Sequence, residues 1–176
     1  ADRDVPPFRN SAMDGYAVRG AAVATAPVRL RVVGSVAAGG LADRAVARGE
    51  AIRIMTGASL PDGADTVVRV EDTRQVGTEV EIRSRTASGT SVREAGEDVR
   101  AGSVVLERGR LLRPAEIGVL AALGHPRVSV IRTPRVAVLS TGDELVELDA
   151  ELGPGTIRDS NGYSLAAAVR AAGAAP

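Results

Sequence analysis

Four short stretches of this sequence place carboxylates or hydroxyls beside glycine, where backbone and side chain can approach a ligand together. Pro6-Pro7-Phe8-Arg9-Asn10-Ser11-Ala12-Met13-Asp14-Gly15-Tyr16-Ala17-Val18 packs polar and small residues where a strand is ordinarily apolar. Ile54-Met55-Thr56-Gly57-Ala58 ends a β-rich run in a hydroxyl and a glycine, and Arg93-Glu94-Ala95-Gly96-Glu97-Asp98-Val99 crowds charge around another glycine. Taken singly, each has a plain structural reading: Asp14-Gly15 as a hairpin turn, Thr56-Gly57 as a strand end, and the third stretch as solvated surface. The fourth, Ser140-Thr141-Gly142-Asp143-Glu144-Leu145, is more telling because it follows an apolar run. Ligands of open α/β sheets sit beyond the carboxyl ends of strands. There Asp143 and Glu144 offer hard oxygens suited to Mg²⁺. The amides around Thr141 and Gly142, with the helix start near Ser160, could hold a phosphate. Asp159 and Ser160 serve equally well as ordinary helix caps.

The composition removes other chemistries. There is no cysteine, so disulfides, thiolate metal sites and thiol nucleophiles are absent together. His125 is the single histidine, which excludes a histidine metal cluster. All 22 basic residues are Arg, so neither a phosphate-loop lysine nor a Schiff base can operate. These are balanced by 22 acidic residues with no basic run, the opposite of a nucleic-acid or anionic-membrane binder. No long apolar segment suggests a membrane span, and Ala1 to Phe8 lacks the order of a signal peptide, so a cytoplasmic protein acting on small molecules is expected.

The elements that must position these residues change character along the chain. Val28 to about Arg132 reads as short strands between glycine turns. They include Val28–Val33, Ala51–Met55, Thr66–Val70, Val80–Arg83 and Val128–Ile131, with turns at Gly39-Gly40, Pro61-Asp62-Gly63, Ala101-Gly102 and Arg108-Gly109. The expected fold is mostly β, a small barrel or hairpin-rich region, interrupted by a packed helix. That helix spans Pro114 to Leu123, with Pro114 at its first position, Ile117, Leu120 and Ala121 inward and Gly124 beyond its end. After Thr133-Pro134 the pattern becomes strand (Arg135–Ser140), loop, and a helix capped by Ser160 or Asn161 and running to Ala172, the first unit of a parallel α/β domain. A further strand is expected after Gly173, so the sequence reads as a piece of a longer protein. The expected division is 1–133, containing two subdomains, and 134–176.

The order of the motifs is more specific than any one of them. Pro6 to Arg19, Ile52 to Ala58, Gly96 to Val99 and Ser140 to Leu145, followed by Arg158-Asp159-Ser160-Asn161, resemble the consecutive signatures of the molybdopterin molybdenumtransferases, a family that includes the E domain of gephyrin. The resemblance covers essentially the whole chain. It implies a homodimeric parent in which a β-rich region precedes a molybdopterin-binding α/β domain and a C-terminal β domain. That parent would take adenylylated molybdopterin and molybdate and, with Mg²⁺, insert molybdenum and release AMP, handing its product to other cofactor-biosynthesis proteins or recipients. Carried over by motif, Asp14, Thr56 and Glu144 would be catalytic. Asp98, Ser140, Thr141, Gly142 and Asp159 would bind substrate, and Asp14, Asp143 and Glu144 would hold the cation. The family's later glycine-rich and acidic segments do not occur in this stretch. A non-catalytic binding or scaffold module on the same fold is the alternative.

Overall fold

A computed structural model describes residues 1–176. They form two compact units, Ala1–Pro126 and Arg127–Pro176. The first carries strands β1 (Asn10–Ser11), β2 (Gly15–Val18), β3 (Val28–Val36), β4 (Glu50–Ile54), β5 (Thr66–Arg69), β6 (Thr73–Val76), β7 (Glu79–Ile82) and β8 (Val92–Arg93), then helix α1 (Pro114–Ala122). Six of the strands form one sheet in the order β5-β2-β4-β3-β7-β6, while β1 pairs separately with β8. Within the large sheet only β3 and β4 run parallel. The unit is mostly β, as the glycine-punctuated strands predict.

Successive side chains of a strand point to opposite faces, and here both faces are buried. Tyr16, Val18, Leu30, Ala51, Val68, Val80 and Ile82 pack on one side of the sheet. Ala17, Val36, Val46, Ile52, Ile54, Ala58 and Val67 pack on the other. Burying each of the larger side chains contributes about 1.5–3 kcal/mol, so these two layers carry most of the unit's stability.

The structure overturns the turn reading of Asp14-Gly15. Gly15 is the first residue of β2, paired with Ile54 on β4 and Arg69 on β5, and every residue of β2 is buried. A Cβ on Gly15 would fall on the Val68 carbonyl, so the close approach of β5 requires glycine here. The Tyr16 and Val18 strand formers alternate with Gly15 and Ala17 in only four residues, too short a run beside Asp14-Gly15 to outweigh the turn signal. The strand's pairing partners supply the stability instead.

Helix α1 begins at Pro114 and is followed by Leu123 and by Gly124 at φ +77°, as its end signals predict. Its packing differs from expectation. Ile117 is 52% exposed, and the buried residue of the helix is Glu116, which accepts hydrogen bonds from the guanidinium groups of Arg110 and Arg113. The apolar spacing therefore marked a face that this unit leaves open.

The second unit contains β9 (Leu145–Val146), β10 (Ile157–Arg158) and α2 (Ser160–Ala171). β9 and β10 pair in parallel. Two predicted strands are missing: Val128–Ile131 has no strand pairing, and Arg135–Ser140 makes only a parallel bridge from Arg135 to Ala175. Those runs are apolar enough for a sheet, but an extended segment becomes a strand only where a neighbour accepts its backbone bonds. None of residues 127–176 is buried. Helix α2 is capped by Asp159, one of the caps its sequence offers, rather than by Ser160 or Asn161.

Candidate functional site

The loop after β4 and the turn before β2 meet at Asp14 and Thr56. The Thr56 backbone N–H donates to Asp14 Oδ1 at 2.7 Å and the Thr56 hydroxyl to the same oxygen at 2.6 Å. β2 and β4 are hydrogen-bonded neighbours, with Gly15 opposite Ile54, so the residue before one strand faces the loop that follows the other. Asp14 Oδ2 has no hydrogen-bond donor within the chain, and both residues are exposed. The Thr56 hydroxyl, then its amide and then the Arg53 charge hold the Asp14 carboxyl below the usual carboxylate range. Asp14 is thus an ionised acceptor across the neutral range.

The loop after β4 keeps few donors for a ligand. Met55 N–H donates to the Val36 carbonyl, Gly57 N–H to the Ser11 carbonyl and Ala58 N–H to the Met55 carbonyl. With the Thr56 hydroxyl committed to Asp14, the pair presents oxygen lone pairs outward. That arrangement suits a cation, or the N–H and O–H groups of an organic substrate, better than a bare oxyanion.

Asp98 is held from β8. Arg93 Nη2 donates to Asp98 Oδ2 at 2.5 Å, and Arg93 pairs in register with Asn10 of β1. A second link runs from Arg9 to Glu94 at 3.0 Å. The charge-dense turn therefore docks on the segment that leads into Asp14. Sequence reading missed Arg93 as the residue that fixes Asp98, although the charge pattern around Gly96 was its signal.

In the second unit, Asp159 Oδ1 accepts from the Gly162 N–H at 2.8 Å, the capping geometry. The Ser140 hydroxyl beside it, then the Gly162 amide, hold the Asp159 carboxyl below its ordinary value. Ser140 and Asp159 thus meet at the start of α2, whose first-turn donors are directed at Asp159. Thr141 and Gly142 N–H have no acceptor in the chain. The Glu144 carboxylate lies over Gly142, where an added Cβ would collide with it, and Glu144 O accepts from Ile157 N at 2.8 Å. Asp143, also exposed, lies between them.

No group of three or more His, Asp or Glu side chains is assembled to hold a metal by itself. In the first unit Asp14 offers a carboxylate with one oxygen free, and in the second unit Asp143 and Glu144 are adjacent carboxylates. Each has the hard-oxygen chemistry that suits Mg²⁺, which commonly takes one or two protein carboxylates and completes its shell with phosphate and water. A shallow groove of about 450 Å³, lined by Val104, Leu106, Arg110, Glu116 and Val119, contains none of the predicted residues.

Residues 1–124 match the family model of the MoeA N-terminal region, domains I and II. The molybdopterin molybdenumtransferase of Nostoc sp. is 48% identical over 98% of this chain and 41% of its own length. Molybdopterin molybdenumtransferase 2 of Mycobacterium tuberculosis is 45% identical over 99% of this chain and 44% of its own. The crystal structure of the molybdopterin biosynthesis moeA protein from Pyrococcus horikoshii superposes with a TM-score of 0.91 at 35% identity, covering 99% of this chain and 48% of that one. The chain spans less than half the length of each of these relatives. With the motif order, the fold and the family match in agreement, this chain belongs to the molybdopterin molybdenumtransferase family, whose MoeA N-terminal region it carries.

Proposed function

We propose that this chain is the N-terminal part of an enzyme that inserts molybdenum from molybdate into adenylylated molybdopterin and releases AMP. The observation that supports this reading is the Asp14–Thr56 pair: two motifs 42 residues apart converge on one carboxylate and leave its second oxygen free. A scaffold module has no need of such a pair.

In this reading Asp14 and Thr56 form an acceptor site in the first unit, braced by Asp98 and Arg93, and Ser140, Thr141, Gly142 and Glu144 form a substrate-binding cluster in the second. Asp14 in the first unit, and Asp143 and Glu144 in the second, are the residues that would serve as Mg²⁺ ligands, and Mg²⁺, when bound, offsets the phosphate charge of the adenylylated substrate. The free amides of Thr141 and Gly142 would donate to that phosphate. Asp159 acts mainly as the cap of α2. Residues 1–133 would be the β-rich region and 134–176 the opening of the pterin-binding domain, in a homodimeric cytoplasmic protein. No helix is long and apolar enough to cross a membrane.

The test is AMP release and cofactor reconstitution by the purified full-length parent, given adenylylated molybdopterin, molybdate and Mg²⁺. Molybdate-dependent AMP release that Asp14→Asn and Thr56→Val each reduce is the expected result. A parent that binds the pterin but never releases AMP would favour the scaffold alternative.

A further inference from the structure

One residue is hydrogen-bonded to the chain neighbours of both Asp14 and Thr56. Ser11 is 1% exposed. Its backbone holds the loop after β4: Ser11 N–H donates to the Ala58 carbonyl at 3.0 Å, and the Ser11 carbonyl accepts from Gly57 N–H at 2.8 Å. Its side chain holds the turn before β2. Ser11 Oγ donates to the Met13 carbonyl at 2.5 Å and accepts from the Met13 N–H at 3.3 Å.

We propose that Ser11 is the positioning residue of the Asp14–Thr56 pair, its backbone fixing the Thr56 loop while its hydroxyl fixes the turn that presents Asp14. The division of labour follows from the chemistry. Backbone bonds to Gly57 and Ala58 survive any substitution that keeps the strand. A hydroxyl one carbon from the backbone is both donor and acceptor in a single atom, so it can bridge the N–H and C=O of the residue two positions on, which alanine cannot. Without it, Met13 loses both local partners, and the turn is tied down only at its two ends, by Ala12 N–H donating to the Ser91 carbonyl at 2.9 Å and Val70 N–H donating to the Asp14 carbonyl at 3.0 Å. The alternative anchor, Gly15, fixes where β2 starts but not how the preceding turn is folded. Ser11 therefore decides whether Asp14 Oδ1 meets both Thr56 donors or swings away into solvent.

The geometric claim concerns this chain alone; its catalytic consequence rests on the proposed reading of Asp14 and Thr56. The experiment is amide hydrogen exchange by NMR on this chain, comparing wild type with Ser11→Ala and Ser11→Thr. In Ser11→Ala the Thr56 amide is expected to exchange about tenfold faster, the scale of one lost hydrogen bond, while core amides of β4 and β5 keep their rates. Ser11→Thr keeps the hydroxyl and should restore protection at Thr56. Equal acceleration at Thr56 and in the core would mean a merely structural residue and would overturn the proposal, as would unchanged Thr56 exchange or a threonine variant that behaves like alanine. In the full-length parent, Ser11→Ala should lower kcat with KM little changed. If Asp14→Asn leaves AMP release intact while the exchange result stands, the functional reading has failed and the positioning role has not.

Discussion

Asp14 and Thr56 share a single oxygen: both donors of Thr56, amide and hydroxyl, point at Asp14 Oδ1. Spending two donors from one residue on one atom holds the carboxyl below its usual range, orients it and leaves Oδ2 without a partner in the chain. It also means the threonine hydroxyl serves the aspartate before it serves any ligand.

Replacing the charge without the shape separates a catalytic role from a structural one. Asp14→Asn keeps an Oδ1 that can accept from Thr56, so the thermal midpoint should move little, with a stability change under about 1 kcal/mol. In the full-length parent, AMP release should fall at least about tenfold, because an amide cannot hold a cation as a carboxylate does. Glu144→Gln should behave likewise. Wild-type turnover in both variants, measured beside the melts, would reduce these carboxylates to loop formers.

Thr56→Val removes the hydroxyl but keeps the amide, so Asp14 loses the larger of the influences holding its carboxyl down. A depressed carboxylate stabilises the fold above its unfolded pKa, and that contribution is lost as pH falls through the folded value. The Asp14 side-chain resonance in Thr56→Val should therefore titrate at higher pH than in wild type, nearer the ordinary carboxylate range. An unchanged titration would show that the hydroxyl bond does not form in solution.

Gly15→Ala tests the tight approach of β5. Alanine in a strand would ordinarily gain about 0.5–1 kcal/mol over glycine. Here its Cβ meets the Val68 carbonyl, so overpacking should dominate and cost about 1–3 kcal/mol in urea unfolding. Stability equal to or above wild type would show that β2 and β5 are less closely paired.

Glu116 predicts an acid-sensitive element remote in sequence from Asp14. The side-chain bonds from Arg113, then Arg110, bring its pKa from 4.5 to about 2. Its stabilising contribution is complete above pH 4.5 and is lost as pH falls from 4.5 towards about 2. Glu116→Gln should lower stability at neutral pH and flatten the pH dependence across that window. A parallel downward shift of the whole curve would assign the acid sensitivity to other carboxylates.

Much of the first unit was legible because its cues are local. Val28–Val36, Glu50–Ile54, Thr66–Arg69 and Glu79–Ile82 combine β-branched residues with glycine turns, and Pro114 and Gly124 bracket α1 through backbone geometry that needs no distant partner. The motif order likewise identified the family without coordinates. Tertiary structure decided the rest. Gly15–Val18 became a central strand because β4 and β5 flank it, whereas the longer apolar run Arg135–Ser140 found a partner only at Arg135. The Ile117 spacing marked an apolar helix face, but burial went to Glu116, whose two arginines offset the cost of enclosing a charge. The site shows the same division most sharply. Asp14 and Thr56 are each unremarkable beside a glycine, and a carboxylate acquires two donors from 42 residues away only when strand pairing brings the two loops together.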